Sequence, residues 1–172
     1  SSDPRKRRAG WGAVCMGFEF GEVELPIATW YGDLPGTFQT VPRAELYAVI
    51  RILECSRSPV LIYSDCKYVV SMARPCKRGA VLLSIHADLW ERFWHAYDLH
   101  LVPPRIHKVK AHCTSEDVAQ GTITQAQWLG NSFADSAARK GAALDALSAE
   151  DAATVDLCDG KAAKVRSRLL AI

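Results

Sequence analysis

A short, continuous apolar run at residues 59–65 constrains the fold more than any other feature of this sequence. The run, PVLIYSD, lies between Pro59 and Asp65 and has apolar residues at successive positions, which is typical of a strand covered on both faces. The segments at 40–54 and 82–100 have apolar residues at the spacing of amphipathic helices. A buried strand flanked by such helices predicts an α/β fold.

The other segments extend this alternation of strands and helices. Two β-compatible stretches flank Gly21, which predicts an antiparallel hairpin with a short turn. Thr40 is placed to cap the helix that follows the hairpin. The further predicted elements are a helix at 66–74, a strand at 103–112 that ends at His112, a helix at 128–143 and a last helix at 160–172. A hairpin followed by alternating helices and strands predicts a mixed sheet.

Length and composition favour one domain with a single core. The chain has 172 residues, of which 49% are hydrophobic, and it contains no apolar run of transmembrane length. Its six cysteines include no CxxC pair, which disfavours a structural zinc site and fits a reducing compartment. The net charge of +2 indicates little about partners, but the basic run at residues 5–8 is either a solvated loop or a phosphate contact.

Three carboxylates fall at the edges of the predicted elements. Glu45 lies among the apolar residues of its helix, Asp65 lies at the end of the buried strand, and Asp135 lies on a later helix. In an open α/β sheet, ligands gather at the carboxyl ends of the strands, and Mg²⁺ prefers oxygen ligands. A metal would also remove the cost of burying Glu45. Taken singly, each acid is better explained as a cap, a surface charge or an ion-pair partner, so the metal interpretation depends on the combination of the three.

Five short motifs extend over most of residues 10–142. They are RAEL at 43–46, IYSDCKYV at 62–69, DLWERF at 88–93, VKAH at 109–112 and GNSFAD at 130–135. In this order the motifs resemble those of ribonuclease H, particularly the domains of retroelement reverse transcriptases.

The resemblance implies a fold, an activity and a set of partners. The expected fold is a ribonuclease H-like mixed sheet with helices on both faces over residues 1–143, followed by an Ala-rich linker and an extra C-terminal helix over 144–172. The expected activity is hydrolysis of the RNA strand of RNA–DNA hybrids with two Mg²⁺ ions, or with Mn²⁺. The expected partner is a reverse transcriptase domain of the same polyprotein, with the protein inside the cell, in cytoplasm or nucleus, and away from membranes.

The resemblance also assigns roles to individual residues. Three carboxylates correspond to metal ligands of the family, and His112 corresponds to its mobile catalytic histidine. Substrate binding is expected to involve Thr40, Arg43 and Lys67. The metal ligands are expected to be Glu45, Asp65 and Asp135.

One departure from the family pattern concerns the fourth carboxylate. In the family it ends the first strand, whereas Asp3 is followed by Pro4 and stands close to Gly10. We therefore expect the first strand, with its aspartate, to lie upstream of residue 1, so that residues 1–143 are an N-terminally truncated domain. The alternative is that Asp3 supplies the fourth carboxylate through a shortened loop.

Two other functional interpretations remain open from the sequence. The chain is also compatible with a catalytically inactive ribonuclease H-like module that has a structural or nucleic-acid-binding role. A DNA-cutting integrase or resolvase of the wider nuclease superfamily is the second alternative, although RAEL followed by VKAH is not expected there.

Overall fold

The protein has the predicted α/β class in a computed structural model that describes residues 3, 6–19, 23–56 and 59–169. The strands are β1 (Gly10–Glu19), β2 (Val23–Asp33), β3 (Leu61–Ser64) and β4 (Arg105–Lys108). The helices are α1 (Val41–Cys55), α2 (Lys67–Met72), α3 (Arg78–Val81), α4 (Ala87–Asp98), α5 (Ser115–Ala119), α6 (Gln125–Leu144) and α7 (Ala149–Leu169). Within these described residues, no helix combines the length and the apolar character needed to cross a membrane.

Several predicted boundaries differ from the observed ones. Strand β4 ends at Lys108 and not at His112, because its partner β3 is only four residues long and the ladder ends with it. Helix α4 begins at Ala87, and the short helix α5, which the sequence did not predict, begins at a capping box formed by Thr114 and Asp117. The C-terminal helix α7 is longer than predicted. The predicted turn at Gly21 lies outside the described residues.

The described strands form two separate pairs. Strands β1 and β2 are antiparallel, with a register shift between Cys15 and Met16, and β3 and β4 are parallel. No strand among the described residues is hydrogen-bonded to both pairs. Each pair therefore has edges whose N–H and C=O groups lack a strand partner in this part of the chain. An additional strand between the pairs stays a prediction.

The main core lies between α1, α2, α4 and β3. Trp90 and Phe93 of α4 are fully buried, and their rings meet edge to face with centroids 5.1 Å apart. At the far end of α1, Glu54 accepts hydrogen bonds from Arg92 of α4, at 2.5 Å to Nε and 2.7 Å to Nη2. Helix α4 is thus held along α1 by apolar packing and by charge.

Helix α6 packs directly on the hairpin because glycines line the contact. A Cβ atom on Gly12 of β1 would lie 2.4 Å from the carbonyl oxygen of Ala134, and one on Gly141 would lie 2.2 Å from the carbonyl oxygen of Gly32. Real side chains do not approach backbone so closely, so only glycine allows this backbone contact. The contact fixes the segment of α6 that carries Asp135.

The basic N-terminal segment contacts the C-terminal part of the chain. Lys6 forms an ion pair with Asp156 of α7. Arg8 Nε lies 2.9 Å from the Asp145 carboxylate and donates to the Asp145 carbonyl at 2.9 Å. These two cations of the basic run are therefore engaged within the protein.

Candidate active site

The three predicted carboxylates lie close enough to influence one another electrostatically. Glu45 lies near the start of α1, Asp65 directly follows β3, and Asp135 lies within α6. Burial raises the pKa of Glu45 to about 7, and the charges of Asp65 and Asp135 act in the same direction. Burial and the charge of Asp65 also raise the pKa of Asp135. We call these three residues the acidic cluster.

The acidic cluster has the donor chemistry of a divalent-cation site. Carboxylate oxygens are the ligands that Mg²⁺ prefers, and a cation would offset both the burial and the like-charge repulsion that raise these pKa values. Among the described residues, however, no group of three or more His, Cys, Asp or Glu side chains is arranged to hold a metal ion. The three carboxylates are therefore of the ligand type that Mg²⁺ prefers, but in this structure their oxygens do not surround a common ion position.

His112 lies beside the acidic cluster in the loop after β4. Its positive charge lowers the pKa of Asp135, so the two side chains are electrostatic neighbours. His112 is exposed and has a φ of 51°, the left-handed conformation that non-glycine residues rarely adopt. The indole of Trp128 in α6 donates to the carbonyl of Cys113 at 3.2 Å, which holds this loop against α6.

The residues expected to bind substrate have different environments. Lys67 is exposed at the start of α2, and the hydroxyl of Thr40 at the N-cap of α1 is buried without a hydrogen-bond partner. Arg43 is only 8% exposed and forms a bidentate ion pair with Asp88 of α4. This placement argues against the expected direct contact of Arg43 with substrate, because its guanidinium is already engaged inside the protein.

Two residues that act on the site were not predicted from the sequence. Arg139 lowers the pKa of Asp135 and lies four residues after it on α6, a spacing that places two side chains on one helix face and could have identified it. Cys66 is the second, since burial and the charges of Glu45 and Asp65 raise the pKa of its thiol. Only the fold brings Cys66 close to Glu45.

The raised pKa of Glu45 predicts that the metal-free protein loses stability as the pH increases. The folded state binds the Glu45 proton more tightly than the unfolded state, so no penalty exists below about pH 4.5 and the full penalty is present above about pH 7. The Glu45 contribution to the free energy of unfolding should fall by about 3 kcal/mol across this range, with Asp135 contributing in the same direction. Urea unfolding at a series of pH values, with chelator present, measures the change.

Glu45→Gln should remove most of this pH dependence. Glu91→Gln, at an exposed position of α4, serves as the matched control and should retain it. An unchanged pH dependence in Glu45→Gln would contradict the assignment of the effect to this carboxylate.

An α/β fold with an acidic cluster at a strand end is compatible with a ribonuclease H-like fold. The sequence model of the RNase H family matches residues 1–143. The chain therefore belongs to the ribonuclease H family. It is similar in fold to the solution structure of the PFV RNase H domain, a foamy virus protein, with a TM-score of 0.63 and 22% identity over 84% of this chain and 88% of that one. The curated proteins include no match.

Proposed function

We propose that this protein is a ribonuclease H that hydrolyses the RNA strand of RNA–DNA hybrids with Mg²⁺. One observation carries the proposal: in a chain of this family, Glu45, Asp65 and Asp135 come from three different elements, yet their charges act on one another. Catalytic acids with strongly perturbed pKa values cluster at functional sites. A purely structural role gives no reason to gather three like charges.

Each member of the acidic cluster has a distinct place in the proposed mechanism. Asp65 and Asp135 provide anionic oxygens at the strand end, and Glu45 adds a third once a cation offsets its raised pKa. Divalent ions held there would activate water and stabilise the leaving oxygen. His112, exposed and next to Asp135, transfers a proton and assists product departure.

Substrate binding is proposed to use the surface beside the acidic cluster. Lys67, two residues after Asp65 and exposed, contacts a backbone phosphate. Thr40 is the second proposed contact, and because its hydroxyl is buried without a partner, its side chain would have to rotate outward to reach the sugar-phosphate backbone. The 2′-hydroxyl groups of one strand and the groove shape of the hybrid distinguish this duplex from DNA.

We also propose a retroelement polyprotein as the context of the chain, with a reverse transcriptase domain as its partner. The fold similarity to the foamy virus domain supports this context. The six cysteines are free of disulfide bonds, which supports a reducing intracellular compartment, cytoplasm or nucleus.

A cleavage assay with matched duplexes tests the proposed function. RNA–DNA hybrid, double-stranded DNA and double-stranded RNA of one sequence are incubated with Mg²⁺ or with chelator, and hybrid cleavage that requires Mg²⁺ is the expected result. Residues 1–172 are compared with a form that includes the sequence encoded before residue 1, which tests the expected additional strand. If residues 1–172 alone cleave the hybrid and Asp3→Asn abolishes cleavage, Asp3 is the fourth carboxylate.

Two results would contradict the proposal. Binding of the hybrid without cleavage by either form would identify a non-catalytic module. Cleavage of DNA with the hybrid left intact would place the protein among the DNA-cutting relatives of the fold.

A further inference from the structure

The first turn of α4 is linked to the helix that carries Glu45. The guanidinium of Arg43, two residues before Glu45 on α1, donates from Nη1 to Asp88 Oδ1 at 2.9 Å and from Nη2 to Asp88 Oδ2. Residues two apart on a helix point in different directions, so Arg43 faces α4 while Glu45 faces the acidic cluster. The hydrogen bond from Arg43 lowers the pKa of Asp88, as expected for an intact ion pair.

The same turn of α4 is also linked to the segment that carries Asp65. Tyr68 of α2, three residues after Asp65, accepts a hydrogen bond from the indole Nε1 of Trp90 at 2.8 Å. The Tyr68 ring also packs edge-on against the buried rings of His86 and Trp90, with centroids 5.8 and 5.9 Å apart. The segment His86–Trp90, which we call the α4 turn, thus contacts both elements.

We propose that the α4 turn sets the separation of Glu45 and Asp65, with Arg43 and Asp88 as a positioning pair. Like charges repel, so these carboxylates need contacts outside the acidic cluster to stay close without a cation. The buried guanidinium of Arg43 and the hydroxyl of Tyr68 supply such contacts, because both bind side chains of the α4 turn. This inference rests on the proposed metal-dependent function.

Asp88→Asn tests the positioning pair, because it keeps the shape of the side chain and removes the charge that binds Arg43. Loosening the cluster should weaken metal binding, so the Mg²⁺ concentration for half-maximal hybrid cleavage should rise about tenfold, within the usual effect of residues that support metal ligands. Cleavage at saturating Mg²⁺ should return to near the wild-type rate. Arg43→Lys, which keeps the charge but not the bidentate geometry, should show the same direction of change.

Glu54→Gln is the matched control, because it removes another carboxylate–arginine pair between the same two helices, at the far end of α1. It should lower stability to a similar extent and leave the Mg²⁺ requirement unchanged. The rise in melting temperature on addition of Mn²⁺ is a second readout that does not depend on activity. The Mn²⁺ concentration that gives half of this rise should be higher in Asp88→Asn and unchanged in Glu54→Gln.

The outcomes separate the inference from the proposed function. Equal Mg²⁺ and Mn²⁺ requirements in Asp88→Asn and Glu54→Gln would overturn the positioning role even if the wild-type protein cleaves hybrids. Absence of any metal effect on the wild-type melting temperature and of any cleavage would overturn the proposed function itself.

Discussion

Glu45→Gln or Asp65→Asn should reduce Mg²⁺-dependent hybrid cleavage by roughly 10³-fold or more, because metal stabilisation of a transition state is worth several kcal/mol and each 1.4 kcal/mol is about tenfold. The stability of the metal-free Glu45→Gln protein should change in the opposite direction. Glutamine carries no charge, so the variant is relieved of the burial cost and of the repulsion by Asp65 and Asp135 that together raise the pKa of Glu45. The free energy of unfolding at pH 8 should therefore increase. Initial cleavage rates and urea unfolding measure the two effects.

For Glu45→Gln, the cleavage rate is expected to fall while the free energy of unfolding rises, and this combination distinguishes a metal ligand from a structural residue. A residue that only supports the fold would lose activity and stability together when replaced. Glu91→Gln on the exposed face of α4 should change neither quantity. Wild-type cleavage rates in both cluster variants would remove Glu45 and Asp65 from the site.

Gly12→Ala should destabilise the protein by about 3 kcal/mol or more, at the upper end of the range for overpacking. The added methyl would lie 2.4 Å from the Ala134 carbonyl oxygen and 2.5 Å from the Ala138 nitrogen, and both are backbone atoms of α6 that cannot rotate away. The helix would have to move off β1, and Asp135 lies in the displaced segment. Urea unfolding should therefore show the loss of stability, and hybrid cleavage should fall with it.

Gly79→Ala provides the control for Gly12→Ala. Gly79 lies in α3, and a Cβ there meets no other atom within 4 Å. Alanine also has the higher helix propensity, so this variant should be unchanged or slightly more stable. Equal effects of the two substitutions would show that α6 does not depend on the close contact at Gly12.

Most helices and strands could be predicted because the spacing of apolar residues follows the periods of helix and strand. The hairpin strands, the helix after Thr40 and the strand at 61–64 occur where the sequence pattern places them. The prediction that this last strand is covered on both faces was wrong: Ile62 and Ser64 are buried, whereas Leu61 and Tyr63 are 53% and 48% exposed. The end of β4 could not be predicted, since the length of its partner β3 decides it. The capping box of α5 was present in the sequence, but its polar surroundings gave no apolar pattern to reveal a helix.

Only part of the candidate site could be predicted from the sequence. Motif resemblance singled out Glu45, Asp65, His112 and Asp135; the pKa shifts of Glu45 and Asp135 show that these residues influence one another, and their roles stay predictions. The same resemblance predicted that Arg43 binds substrate. The sequence could not show that Asp88 lies opposite Arg43 and binds its guanidinium. A partner 45 residues away is a property of the packed helices, not of any local pattern.

The separation of the two strand pairs has a consequence for the internal motions of the protein. Asp135 lies on α6, which packs on the hairpin, whereas Glu45 and Asp65 lie in the part of the protein formed by α1, β3 and the helices packed on them. Side-chain contacts such as the edge-to-face pair of Trp11 and Tyr47 join these halves. We expect amide hydrogen exchange to show two cooperative units. A divalent ion bound by carboxylates of both units would stabilise both units and slow amide exchange in each.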